Sequence, residues 1–126
     1  MPVIRQKYIR RTDVRAHPDW LYVFGDNDAR VGFGGQAYEM RGEPNAVGVR
    51  TKADPGTVIG RSYWSDDNYA ENCRKVDEDL VRVRDYLANG GTVVIPEDGI
   101  GTGHAALGRF APKTLNYVLR IINELK

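Results

Sequence analysis

Trp20-Leu21-Tyr22-Val23-Phe24-Gly25-Asp26-Asn27-Asp28-Ala29-Arg30-Val31-Gly32-Phe33-Gly34-Gly35-Gln36-Ala37 passes from an unbroken apolar run into a polar, glycine-rich stretch and then into helix formers. Trp20 to Phe24 do not alternate, so neither face is marked for water. A short run of that kind, bounded by turn residues, reads as a central strand buried on both faces. The predicted loop covers Gly25 to Gly35. Gln36 to Arg41 reads as a short helix that Gly42 stops.

The same order recurs near the C-terminus. Thr92-Val93-Val94-Ile95 reads as a buried strand, and Pro96 to Gly108 as a second glycine-rich loop. Between these units, Asn45 to Val49 reads as a further buried strand, and Arg50 to Tyr63 as irregular chain with a Pro55-Gly56 turn. Val3 to Ile9 reads as a first strand, followed by a turn or short helical piece over Thr12 to Asp19. Ser65, Asp66 and Asp67 are N-cap candidates for a long helix. Along that helix Cys73, Val76, Leu80, Val83 and Leu87 form one apolar stripe, and Asn89-Gly90-Gly91 ends it. A last amphipathic helix runs from Pro112 to Leu125, with Leu115, Val118, Leu119, Ile122 and Leu125 at helical spacing. Buried strands alternating with helices predict an α/β fold whose sheet is covered on both faces. Ligands in such folds sit beyond the carboxyl ends of the strands, and both glycine-rich loops leave strands at that end.

Composition narrows the function classes. The chain has 126 residues, the size of one domain, read as residues 1–126. Its hydrophobic fraction of 41% and charged fraction of 28% are those of a globular protein. With a net charge of +1, nonspecific nucleic-acid binding is not expected. Arg5, Lys7, Arg10, Arg11 and Arg15 are a local basic exception. One cysteine, Cys73, excludes an internal disulfide, and no Cys/His cluster offers a zinc site. No cofactor or metal is therefore expected. The opening MPVIRQKYIRR has no apolar core of a signal peptide, and no stretch is long enough to span a membrane. A cytoplasmic protein without a membrane partner is expected.

The two loops carry the candidate chemistry. Glycines allow positive φ and close approach of a ligand to the main chain. In the first loop the candidate ligand contacts are Gly25, Asp26, Gly32, Phe33, Gly34 and Gly35. A helix beginning at Gly35 or Gln36 would turn free N–H groups toward a phosphate. In the second loop they are Gly99, Ile100, Gly101, Thr102, Gly103 and His104, where alternating glycines suit an anion-binding nest. That loop lacks the GxxxxGK[ST] pattern and the dinucleotide-binding fingerprint. Lys52 and Arg50 are candidates to meet a phosphate. Phe33 is read either as a stacking ring or as a buried one. Asp26 and Asp28 are read as ligand contacts or Asx-turn residues. Asp98 and Glu97 end a buried strand, where either reads as a general base or as a backbone cap.

Val94-Ile95-Pro96-Glu97-Asp98-Gly99-Ile100-Gly101-Thr102-Gly103 resembles the strand and diphosphate-cradling loop of macro domains. Gly32-Phe33-Gly34-Gly35-Gln36-Ala37 is similar to their first loop, which faces the distal ribose. The order of elements from Leu21 to Leu125 matches as well, most closely that of the ADP-ribosyl-glutamate hydrolase branch. The resemblance implies three layers, α/β/α, around a mixed, mostly parallel sheet, with ADP-ribose or a related phosphorylated nucleotide between the loops. It implies hydrolysis of ADP-ribosyl or ADP-ribose phosphate substrates, with Asn27 near the distal ribose. Asp98 is then the candidate base beside Asn27. Two departures stand out. The family's adenine-reading acid has only Asp13 and Asp26 as candidates, and the branch's acid after the second loop is replaced by Ala105-Ala106-Leu107-Gly108-Arg109. The alternatives are a non-catalytic module that sequesters a nucleotide, or an interaction domain that docks through its basic N-terminal strand.

Overall fold

The computed structural model describes residues 2–126. Four strands, β1 (Val3–Gln6), β2 (Trp20–Asn27), β3 (Ala46–Lys52) and β4 (Thr92–Pro96), form one sheet in the order β1-β4-β2-β3. Every pairing between them is parallel. The expectation of a mixed sheet is thus corrected. Helices connect the consecutive strands, and such crossovers return the chain in the same direction. The antiparallel component is an isolated bridge, Lys52 with Tyr63.

The helices are α1 (Arg11–Ala16), α2 (Gln36–Met40), α3 (Tyr69–Ala88), α4 (Leu107–Phe110) and α5 (Pro112–Asn123). Successive strand residues point to opposite faces, and the core divides accordingly. Leu21 and Val23 of β2, with Val93 and Ile95 of β4, pack with Val76, Leu80 and Val83 of α3 and Val118 and Ile122 of α5. Tyr22 and Phe24 of β2, with Val94 of β4, pack with Val14 of α1 and Ala37 and Met40 of α2. Each face of the sheet therefore has its own apolar cluster. This is why the β2 run shows no alternation.

Several boundaries move from the sequence reading. The strand β2 continues through Gly25, Asp26 and Asn27, because these pair with Val49, Arg50 and Lys52 of β3, across a register shift between Asp26 and Asn27. Arg50 to Lys52 are strand for the same reason. The first strand stops at Gln6, and Ile9 enters the α1/α2 cluster instead. A short helix, α4, lies within and beyond the end of the predicted second loop. Ser65 caps a 3-10 turn (Asp66–Asn68) ahead of α3. Asp66 does not cap α3: its carboxylate accepts from Lys113 N, Thr114 N and Thr114 Oγ1 at the start of α5. Cys73 is half-buried, not core, and Leu119 is exposed.

The site is positioned by where the strands exit. The chain leaves β2 for α2 on one face of the sheet, and leaves β4 for α4 and α5 on the other. Adjacent strands whose connections depart to opposite faces leave a crevice between them, outside their carboxyl ends.

Candidate functional site

A cavity of about 700 Å³ occupies this crevice, within the range of small-molecule sites. All four strand ends reach it: Lys7 and Tyr8 after β1, Pro96 and Asp98 to Ala105 at β4, Gly25 to Asn27 and the loop glycines Gly32, Gly34 and Gly35 at β2, and Thr51, Lys52 and Tyr63 at β3. It brings together most of the residues assigned to a ligand from sequence; Phe33, Asp28, Arg50 and Glu97 do not line it, and the Asp28 carboxylate is taken by Trp64 Nε1 and Lys75. Phe33 is 62% exposed and borders a shallow surface groove with Arg11, Tyr38 and Glu39. It neither lines the cavity nor packs under the loop, because its neighbours Gly32 and Gly34 face the cleft and turn it outward.

The walls are rich in unpaired donors. In the first loop, the N–H groups of Val31 to Gln36 meet no acceptor among the described residues. In the second, those of Ile100 to Ala105 are likewise unpaired. Most of these residues are exposed or half-buried, so their N–H groups are open to water and to a ligand that replaces it. Both rows border one cavity, Phe33 excepted, and successive free N–H groups of this kind suit oxygen acceptors. Gly101 holds φ +89°, and a Cβ there would stand 2.5 Å from Leu107 Cδ1, so only glycine turns the loop at this point. The side chain of Ile100 is buried in the α3/α5 cluster, which leaves its backbone as its contribution to the wall. Thr102 Oγ1 donates to Asp98 O at 2.7 Å and closes the loop on itself. His104 is exposed, and its ring lies over the first loop: a Cβ on Gly35 would be 3.2 Å from His104 Cδ2. The two loops thus touch at the mouth.

Asp26 is buried, and its carboxylate is occupied by Arg41 and by Arg30, the latter at 3.2 Å. It accepts no Asx-turn bond beyond its neighbour, Asn27 N. Asp13 is engaged as well, accepting Arg10 N at the start of α1 and Gln6 Nε2. Neither candidate adenine reader is therefore a free carboxylate. Arg50 also leaves the candidate list. It pairs with Asp79 and Glu78 of α3, and its guanidinium is held above its ordinary pKa, first by the Asp79 hydrogen bond.

Asn27 and Lys52 are paired across β2 and β3, and both are buried. Asn27 Nδ2 donates to Val31 O at 2.8 Å, while its Oδ1 is buried without a partner. Lys52 Nζ donates to Gly56 O at 2.9 Å and lies 4.8 Å from the centre of the Tyr63 ring. It makes no ion pair; nearby Asp54 accepts Gly56 N and pairs with Arg61. Burial pushes the Lys52 amine below its usual pKa, and Asp54 partly opposes that. The arrangement offers one acceptor awaiting a hydroxyl and one desolvated amine able to meet an anion or exchange a proton.

Asp98 borders the cavity but is exposed, as is Glu97. Sequence reasoning missed Arg41, Tyr63, Thr51, Lys7 and Tyr8, which border the cavity too. The isolated bridge brings Tyr63 back beside Lys52, an event with no local sequence signal. Arg41 was read only as the last residue of a helix.

The basic N-terminal segment is compensated only in part. Arg11 and Arg15 share Glu43, and Arg5 donates to Asn123. Among the described residues no helix is long and apolar enough to cross a membrane, and no group of His, Cys, Asp and Glu is arranged to hold a metal ion. No curated protein and no solved structure matches the chain. A family model described as "Family of unknown function (DUF7831)" matches residues 4–121, nearly the whole length, and the chain belongs to that family.

Proposed function

We propose that this protein binds ADP-ribose, or a closely related nucleoside-diphosphate sugar, as a macro-like domain of three layers. The observation that carries the reading is the pair of loops, bordering one cavity, whose N–H groups have no protein acceptor among the described residues. A diphosphate supplies the oxygen acceptors those donors lack. Asn27 Oδ1 accepts a sugar hydroxyl, and Lys52 supplies positive charge beside it. Calorimetry with ADP-ribose, AMP and adenine tests this. ADP-ribose should bind, with adenine far weaker. At ten times its Kd it should stabilise the fold by about 1.4 kcal/mol. No heat with ADP-ribose at millimolar concentration overturns the reading.

Hydrolysis of an ADP-ribosyl or ADP-ribose phosphate bond is a second reading, favoured by the desolvated Lys52 amine beside Asn27. A lysine whose pKa is lowered by burial gives up its proton more readily than an exposed one. Asn27 orients the sugar or a water. Asp98 is the alternative base, and its exposure places it at the rim. Turnover of ADP-ribosylated protein should fall by about 10²–10⁴-fold in the variant that removes the base. Comparing Asp98→Ala with Lys52→Met assigns the role. Tight binding by an inactive wild type makes the protein a sequestering module instead. Docking through the basic N-terminal strand has less support, because Arg11 and Arg15 lie on α1 and are both paired with Glu43.

A further inference from the structure

We infer that Arg41 and Arg30, joined through Asp26, form a guanidinium clamp that sets the peptide orientation of the first glycine-rich loop, which makes all three positioning residues. The inference rests on the ligand-binding reading of that loop for its functional meaning, but not for its geometry.

Arg41 follows the last residue of α2, and its side chain turns back under the loop. Its Nε donates to Gly32 O at 2.7 Å and its Nη2 to Val31 O at 3.3 Å. A trans peptide holds each C=O antiparallel to the N–H of the following residue. Fixing the Val31 and Gly32 carbonyls on Arg41 therefore turns the Gly32 and Phe33 N–H groups away from the guanidinium. Those are among the donors that no protein acceptor meets. Without the clamp, each glycine peptide could rotate and present its carbonyl to the ligand instead.

Asp26 holds Arg41 in place. One guanidinium reaches both carboxylate oxygens, Nη2 to Oδ1 and Nη1 to Oδ2, a forked pairing that fixes orientation as well as distance. The same carboxylate takes Arg30 Nη1. Arg30 has φ +57°, an unfavourable conformation for a side-chain-bearing residue. It is held there by Gly48 O at 2.7 Å and by Asp79 of α3 at 2.6 Å, besides Asp26. The start of the loop is thus tied to β3 and α3, and its middle to α2, through one shared carboxylate. Room for that carboxylate comes from Gly48, where a Cβ would lie 2.5 Å from Asp26 Oδ2.

The test is Arg41→Ala with chemical rescue. Backbone ¹⁵N relaxation of Gly32, Phe33 and Gly34 should show new nanosecond motion, while amides of α3 stay rigid. Affinity for ADP-ribose should fall at least about tenfold. Methylguanidinium at tens of millimolar should restore both, and Arg41→Lys should restore neither, because an ammonium cannot span two carboxylate oxygens and two carbonyls. The double variant Asp26→Asn/Arg41→Gln leaves no buried unpaired charge and serves where the single variant folds poorly; its loop should be mobile and indifferent to methylguanidinium. Loop amides as rigid as wild type in both variants overturn the clamp. If wild type binds no ADP-ribose, the ligand reading falls, and the relaxation and rescue measurements still decide the clamp.

Discussion

Lys52 shows how a single buried charge links stability to the site. Its folded pKa is lowered from an ordinary value of 10.5, so in the interval between the two values the unfolded chain holds a proton that the folded chain has lost. Stability from this residue therefore rises with pH across that interval, and at neutral pH the buried ammonium is a cost. Lys52→Met should be more stable than wild type at pH 7, with the advantage shrinking as pH approaches 10. Urea denaturation of both proteins at several pH values measures it, and a gap independent of pH would contradict the assignment. The variant should also lose ADP-ribose affinity. Glycines in the loops divide in the same way between fold and ligand. Gly101→Val meets Leu107 and a positive φ, so it should lower the melting temperature as well as binding. At Gly34 a Cβ would be no nearer than 3.5 Å to His104, in ordinary contact. Gly34→Val should stay folded by circular dichroism while ADP-ribose affinity drops. Unchanged affinity there would mean that the ligand does not approach this backbone.

At the scale of elements, three adjacent polar residues that look equivalent in sequence have separate duties. Ser65 caps the 3-10 turn ahead of α3, Asp66 caps α5 from a distance in sequence, and Asp67 is exposed. Asp66→Ala should cost about 1–2 kcal/mol, because the first turn of α5 loses its acceptor. Asp67→Ala should stay within about 0.5 kcal/mol. Thermal melts of the two variants are sufficient, and equal losses would refute the division. The apolar stripe of α3 was legible from periodicity, since Val76, Leu80, Val83 and Leu87 are all buried. Cys73 was misplaced by the same rule. It sits at the edge of the stripe, against Tyr69, where burial pushes its thiol pKa up. Periodicity marks a helix face but not the width that a neighbouring helix covers.

For the whole molecule, strand order matters more than any one loop. β2 and β4 are distant in sequence and adjacent in the sheet, so the two glycine-rich loops become opposite walls of one cavity. Binding should therefore protect both together. Hydrogen exchange with saturating ADP-ribose should slow amides in Val31 to Gln36 and in Ile100 to Ala105. Protection confined to one stretch would show that the walls do not share a ligand.

The alternation of buried strands with helices, the two glycine-rich loops and a cleft at the strand ends were all legible in the chain. They rest on local properties: apolar runs without alternation, helical periodicity and glycine placement. Lys52 was legible as a residue type, yet its lack of an ion pair was not, because Asp54 is close in sequence but pairs with Arg61 and Gly56 N. Asp26 read as a ligand contact, and its pairing was not legible: Arg30 reaches it from the turn after β2, and Arg41 only once α2 has folded back over β2. The sheet's uniform direction, its order and the return of Tyr63 to Lys52 were likewise decided by tertiary structure. Such pairings depend on which surfaces meet, and no local pattern of residues marks both partners.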